Sequence, residues 1–258
     1  MRRIIRIDVS LHYFNRIVTI DLFQINQVIM KRLFVFAAMM AVGLSVFGQT
    51  TENKHEWRIR LRGLGVLPSE SATVGVIGGD AKISNSFIPE LDFTYFITRH
   101  WAAELILGTT KHKVSTVGSD LSAIGASSNA GVDLGKVWLL PPTLTLQYHF
   151  PVAGFNPYVG AGVNYTIFYS VDQGPVVKDI SYKNKFAFAA QAGFDYDISK
   201  RFFINVDFKK IFLSTTASVD GSNLTPAASP QLSGTLENIT ADVKINPWLI
   251  GAGIGCRF

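Results

Sequence analysis

The segment Trp248–Phe258 alternates strictly, with Trp248, Ile250, Ala252, Ile254, Cys256 and Phe258 on one face and Leu249, Gly251, Gly253, Gly255 and Arg257 on the other. A period of two over about ten residues is the pattern of a tilted membrane-crossing strand, its apolar row toward lipid and its small and charged row toward a lumen. The pattern recurs upstream. Trp57–Leu67 places Arg58, Arg60 and Arg62 on one face and ends at Pro68. Ile88–Thr98 sets Leu91, Phe93, Tyr95 and Ile97 against Glu90, Asp92 and Thr94, and turns at Arg99 into Trp101–Gly108, which carries Glu104. Thr143–Phe150, with Gln147 on its polar row, is followed by Phe155–Tyr169. Lys185–Ile198 opposes Phe186, Phe188 and Phe194 to Gln191 and Asp195, and Phe202–Ile211 opposes Ile204, Val206 and Phe208 to Asp207 and Lys209. The terminal strand is entered from about Ala241.

Eight alternating segments predict an all-β fold, an eight-stranded antiparallel transmembrane β-barrel, since an even count closes and closure removes edges that lipid cannot satisfy. Short turns fall around Arg99, Ala153 and Lys200. The other links, Pro68 to Phe87, Lys113 to Val137, Val171 to Asn184 and Leu213 to Thr240, are long and read as loops. Short periplasmic turns and long extracellular loops are the asymmetry of such barrels. A soluble barrel would bury its apolar row, whereas here the opposite rows carry Arg, Glu, Asp and Gln.

Composition fits this reading. The chain is 48% apolar and 17% charged, yet no run reaches the roughly 18 uninterrupted apolar residues of a membrane helix. The net charge of +5 is concentrated at the start, where six of 24 basic and two of 19 acidic residues precede position 49. The basic balance therefore argues for no nucleic-acid partner. Met30-Lys31-Arg32 and the apolar stretch from Leu33, ending on the small residue Gly48, read as a signal peptide over 30–48 with cleavage before Gln49. Residues 1–29 lie upstream of a complete signal and read as a mis-assigned extension. That leaves 49–258 as the barrel. The single cysteine, Cys256, excludes an intramolecular disulfide.

Specific strings then point to a family. Pro89–Thr98 with Trp101–Leu105, the run Leu139–Phe150 (Leu-Leu-Pro-Pro-Thr-Leu-Thr-Leu-Gln-Tyr-His-Phe), Pro157–Thr166, Gln191–Tyr196, Asn205–Asp207 and Asn246-Pro247-Trp248 running to Arg257-Phe258 resemble the OmpW family of outer-membrane proteins over nearly the whole mature chain. The resemblance implies residence in the bacterial outer membrane, insertion by the barrel-assembly machinery, and a narrow passage for small, mainly hydrophobic solutes. It also implies that Trp248 and Phe258, on the lipid-facing row of the last strand, belong to an assembly signal. The junction Phe47-Gly48-Gln49 and the Gly/Ser/Ala-rich loop Lys113–Val137 depart from commoner members, which leaves the ligand open because loops carry recognition.

Candidate chemistry is sparse. The lumen-facing set comprises Arg58, Arg60, Arg62, Glu90, Asp92, Glu104, Gln147, Gln191, Asp195, Asp207 and Lys209. In an eight-stranded barrel side chains nearly fill the interior, so a mixed-sign ladder reads first as a plug that pins register. An apolar mouth would then be lined by Leu64, Val66, Trp138 and Leu139. The five histidines, His12, His55, His100, His112 and His149, lack metal-ligand spacing and read as surface or interface residues. No nucleophile–base arrangement argues for an enzyme, and no cofactor is implied. With outer-membrane lipid as its surroundings, two functions stand: a narrow passage for small, mainly hydrophobic solutes across the outer membrane, or a plugged structural barrel whose loops bind a partner.

Overall fold

The computed structural model describes residues 56–258 apart from 76, 123–124, 225–235 and 238; the expected extension 1–29 and signal peptide 30–48 lie outside the described residues. Fifteen strands follow in order: β1 (Trp57–Leu67), β2 (Ser71–Val74), β3 (Asp80–Ile83), β4 (Ser86–Phe96), β5 (Trp101–Leu107), β6 (Thr110–Val117), β7 (Asp133–Leu140), β8 (Thr143–His149), β9 (Phe155–Gln173), β10 (Asp179–Tyr182), β11 (Lys185–Asp197), β12 (Phe202–Phe212), β13 (Ser214–Asp220), β14 (Ile239–Lys244) and β15 (Trp248–Arg257).

Eight of them close antiparallel in the order β11-β12-β15-β1-β4-β5-β8-β9, with β9 returning to β11. The ring is sealed at β1 and β15, where Arg58 pairs with Arg257 and Leu67 with Trp248. These eight are the alternating segments read from the sequence. Their side chains are sorted opposite to a soluble protein. Phe87, Phe186 and Phe188 are 74–79% exposed, while Arg60, Asp92 and Glu104 are fully buried. Charges inside and large apolar groups outside give a wall that meets lipid.

The four long links are not loops throughout. Six further strands, β2, β3, β6, β7, β10 and β13, rise from them and extend the wall outward, and the expected eighth segment divides into β14 and β15 at Ile245–Pro247. Strands β7, β6 and β3 continue from the upper half of β9, and β10-β13-β14-β2 form a second sheet. Seven of the eight wall strands break at one level, around Pro68, Ser84, Gly108, Pro141, Asn184, Leu213 and Asn246. Only β9 runs through, and there Ser170 takes a left-handed φ of 47° beside a register shift against β7.

Polarity inverts across this level. In β14, Ile239, Ala241 and Val243 point inward and Thr240, Asp242 and Lys244 outward. On β6 the outward lysines pair across the surface, Lys111 with Asp172 of β9 at 2.8 Å and Lys113 with Asp133 of β7 at 2.9 Å. Such charges cannot sit in hydrocarbon, so the extension stands outside the bilayer around its own apolar core.

Candidate functional site

The lumen below the break is closed by one connected set of side chains. Strand β1 supplies Arg58, Arg60 and Arg62 at alternate, inward positions. Arg60 Nη1 lies 3.0 Å from both Asp92 of β4 and Glu104 of β5, and its Nη2 lies 3.1 Å from Asp195 of β11. Arg62 reaches Glu90 at 2.9 Å and Asp92 at 2.8 Å, and Arg58 reaches Asp195 at 2.6 Å. Gln191 donates to Glu104 at 2.7 Å and to Asp207 at 2.6 Å, and Gln147 donates to Glu104 at 2.8 Å. Lys209 stands 3.1 Å from Asp207 and 3.8 Å from Glu90. All eleven residues read as lumen-facing therefore meet in one network that ties six strands together.

The sequence reading missed the neutral half of this plug. Tyr158 donates to Asp207 at 2.8 Å, and Asn205 donates to Asp195 at 2.8 Å. Phe203 is fully buried beside the arginines, its ring 5.5 Å from the Arg58 guanidinium. These rings fit because glycines face them: a Cβ on Gly255 would fall 2.2 Å from Phe203 Cζ, and one on Gly193 2.5 Å from the Tyr158 hydroxyl. The signal available was position, since all three residues lie on inward rows. His149, expected at a surface or interface, is buried there too, its Nε2 3.0 Å from Gln147 Oε1. It shares the inward row with Gln147, which decides its place.

Above the plug the lumen turns apolar. A cavity of about 110 Å³ lies between the extension sheets, lined by Leu64, Val66, Ile88, Leu139, Ile211 and Leu249 among others, with Glu90 and Lys209 at its floor. Leu64, Val66 and Leu139 thus line it from strands, not from loops. Trp138 does not. It follows Val137 and precedes Leu139, both buried, so alternation turns its ring outward, where it packs 6.3 Å from Tyr169 with Lys111 5.1 Å away. This is a correction to the expected mouth.

His112 of β6, also expected at a surface, lines the same cavity. Its Nδ1 lies 2.6 Å from the Ser84 carbonyl oxygen and its Nε2 3.0 Å from Thr110 Oγ1. Burial in this apolar setting holds its pKa below the ordinary 6.5, only partly offset by the bond to Ser84.

The wall beside the cavity is not continuously hydrogen-bonded. The β4–β5 ladder ends at Leu91↔Leu107, and the chains next meet where Ser84 N donates to Lys113 O at 3.0 Å. Between these points Asn85–Glu90 faces Gly108–His112 with no backbone pair. Pro89 offers no N–H there, and a Cβ on Gly108 would touch Ile88 Cδ1 at 3.6 Å. Ile88, Glu90, Gly108 and Thr110 border both the gap and the cavity. On the outside Phe87 and Leu107 are exposed to lipid.

Known proteins share this architecture. The sequence pattern of the OmpW family matches residues 55–258. The chain is 47% identical over 204 residues, 78% of its own length and 80% of the relative's, to the uncharacterized outer-membrane protein y4mB of Sinorhizobium fredii. It is 31% identical to the dibenzothiophene metabolism operon protein PahQ of Pseudomonas aeruginosa, covering 81% of this chain and 92% of that one. The crystal structure of the outer-membrane protein OprG from Pseudomonas aeruginosa superposes with a TM-score of 0.67 at 25% identity, over 80% of this chain and 97% of that one.

Proposed function

Because the chain belongs to the OmpW family of outer-membrane barrels, we propose that it is a passive route by which small, mainly apolar solutes cross the outer membrane. The solute enters the apolar cavity from outside, is denied the axial path by the plug, and leaves sideways between β4 and β5–β6 into the lipid. The observation that carries this reading is the junction at Ile88 and Gly108, where the cavity lining and the unpaired stretch of wall share residues. Where the wall is paired, leaving through it would break ladder hydrogen bonds in a medium that replaces none of them; the β11–β12 seam has a shorter unpaired stretch, between Phe188↔Phe212 and the bond from Lys183 N to Thr216 O, but no proline lies in it. At Pro89 the donor is already missing.

Selectivity follows from the lining. An apolar solute gains on the order of 25 cal/mol per Å² of surface removed from water. A charged solute of the same size loses its hydration without a partner, a penalty on the order of several kcal/mol. Uncharged, compact hydrocarbons and heterocycles are therefore the favoured class, and the name of the PahQ relative places it with the metabolism of such a heterocycle.

The reading is tested in cells, because a bare phospholipid bilayer already passes apolar solutes. Uptake of a naphthalene-sized hydrocarbon should rise when the protein is restored to a strain lacking it, and uptake of its sulfonated analogue should not. Equal uptake with and without the protein would favour the plugged barrel whose extension binds a partner.

A further inference from the structure

On the side of the barrel away from the gap, the outer surface carries a groove of about 290 Å³ at the level where the strands break. It is lined by Lys185 at the start of β11, Ser214 and Thr216 of β13, Asp242 and Lys244 of β14, and Ser71 of β2. A third lysine joins it from below. Lys210 Nζ donates to the carbonyl oxygen of Asn246 at 2.5 Å and lies 4.6 Å from the Trp248 ring. Asn246 N in turn donates to the carbonyl of Leu213, the residue before Ser214, which brings the Lys210 ammonium beside the groove.

The charge there is unbalanced. On the outer face Lys111, Lys113 and Lys178 each hold a carboxylate, at 2.8, 2.9 and 3.3 Å, whereas Lys82, Lys136 and Lys183, none of which lines the groove, hold none among the described residues. Among the described residues, Lys185, Lys210 and Lys244 have none within ion-pair distance. The groove's one acid, Asp242, accepts from Thr216 Oγ1 at 3.0 Å, so three ammonium groups face a single carboxylate. Immediately toward the membrane stand Phe186, Phe212 and Trp248, 51–77% exposed. Aromatic groups at that position mark the boundary between acyl chains and head groups.

We propose that Lys185, Lys210 and Lys244 form a binding site for the phosphate of a phosphorylated glycolipid in the outer leaflet, whose acyl chains lie along Phe186, Phe212 and Trp248. A phosphate monoester carries between one and two negative charges and three acceptor oxygens, which suits three ammoniums and the Ser71 and Ser214 hydroxyls. The phosphodiester of a zwitterionic phospholipid brings its own cation and fits less well. Clustered lysines at a membrane surface act in this way and weaken with salt.

The test uses the full chain, folded in neutral phospholipid vesicles and scored for folding by heat-modifiable migration. Three probes are compared: a phosphorylated outer-leaflet glycolipid, the same lipid after phosphatase treatment, and inorganic phosphate. The phosphorylated lipid should be retained, and the doubly substituted K185Q/K244Q protein should hold it about thirtyfold more weakly, the loss expected for two lysines at an anionic surface. K136Q, on the other extension sheet, should retain it like the unsubstituted protein. Equal retention of the phosphorylated and dephosphorylated lipids, or unchanged retention by folded K185Q/K244Q, would overturn the proposal. Displacement of the lipid by millimolar inorganic phosphate would assign the groove to a free anion and overturn it as a lipid site.

Discussion

Leu91 pairs with Leu107, and above that pair their two strands part without another ladder bond until Ser84 meets Lys113. An unpaired strand edge is normally excluded from hydrocarbon because its backbone groups have no partner there. In this wall the missing bonds coincide with a proline, with a glycine that adds no side chain, and with the border of the apolar cavity. Passage across the wall therefore starts from groups that are already unbonded.

The inverted sorting of the barrel is tested at two neighbours on β1. Leu61 faces lipid near the middle of the wall, and Arg60 is buried against Asp92, Glu104 and Asp195. Leu61→Arg should destabilise the folded barrel by about 2–4 kcal/mol, the depth-dependent penalty of a cation in lipid. Arg60→Leu should cost about 3–5 kcal/mol, because it removes one of the buried cations that balance Asp92, Glu104 and Asp195 and leaves Arg58 and Arg62 to hold them. Both are read from denaturant titrations in lipid. A neutral Leu61→Arg with a costly Arg60→Leu would place Leu61 away from the hydrocarbon.

How far the sequence reveals this molecule depends on where along the wall one looks. In the membrane each strand obeys a single polarity, apolar outward, and Trp57–Leu67 is legible to the residue. Beyond the break level that polarity reverses, so β13, with Ala217 and Val219 inward between serines and threonines, resembles a polar loop to a search for lipid-facing rows. Strands β2, β3 and β10 have only four residues each, too short for any period to declare itself. The plug's charges were readable from alternation. The gap was not, because it lies in a missing pairing, and a pairing belongs to two segments at once.

His112 gives the cavity a dependence on pH. Its pKa lies below the ordinary 6.5 because burial disfavours the cation, so below that value the folded protein binds fewer protons here than the unfolded chain. The stabilisation it contributes is complete above about pH 6.5 and is lost as pH falls from there through the lowered value. Thermal stability of the folded protein should decline over that range, and His112→Gln should flatten the decline. A decline identical in His112→Gln would remove this residue as its source.

We expect Phe258 to bear on assembly more than on stability. Its backbone closes the ring, donating to the Trp57 carbonyl at 2.9 Å and accepting from Trp57 N at 3.4 Å, while its ring is 66% exposed. Phe258→Ala keeps those backbone bonds. Folding into lipid in vitro should be nearly unchanged, whereas outer-membrane levels in cells should fall sharply, with the unfolded chain degraded in the periplasm. Normal cellular levels of Phe258→Ala would remove this residue from the assembly signal.

Lateral passage is the central claim, and closing the gap tests it most directly. Continuing the Leu91↔Leu107 register sets Pro89 opposite Thr109. Both are substituted by cysteine in a background where Cys256 is alanine, and the pair is joined by a short reducible bifunctional thiol reagent. Uptake of the uncharged hydrocarbon by cells carrying the protein is then measured before joining, after joining, and after reduction. The account predicts that joining abolishes the protein-dependent uptake and that reduction restores it; full uptake with the gap held closed would contradict it.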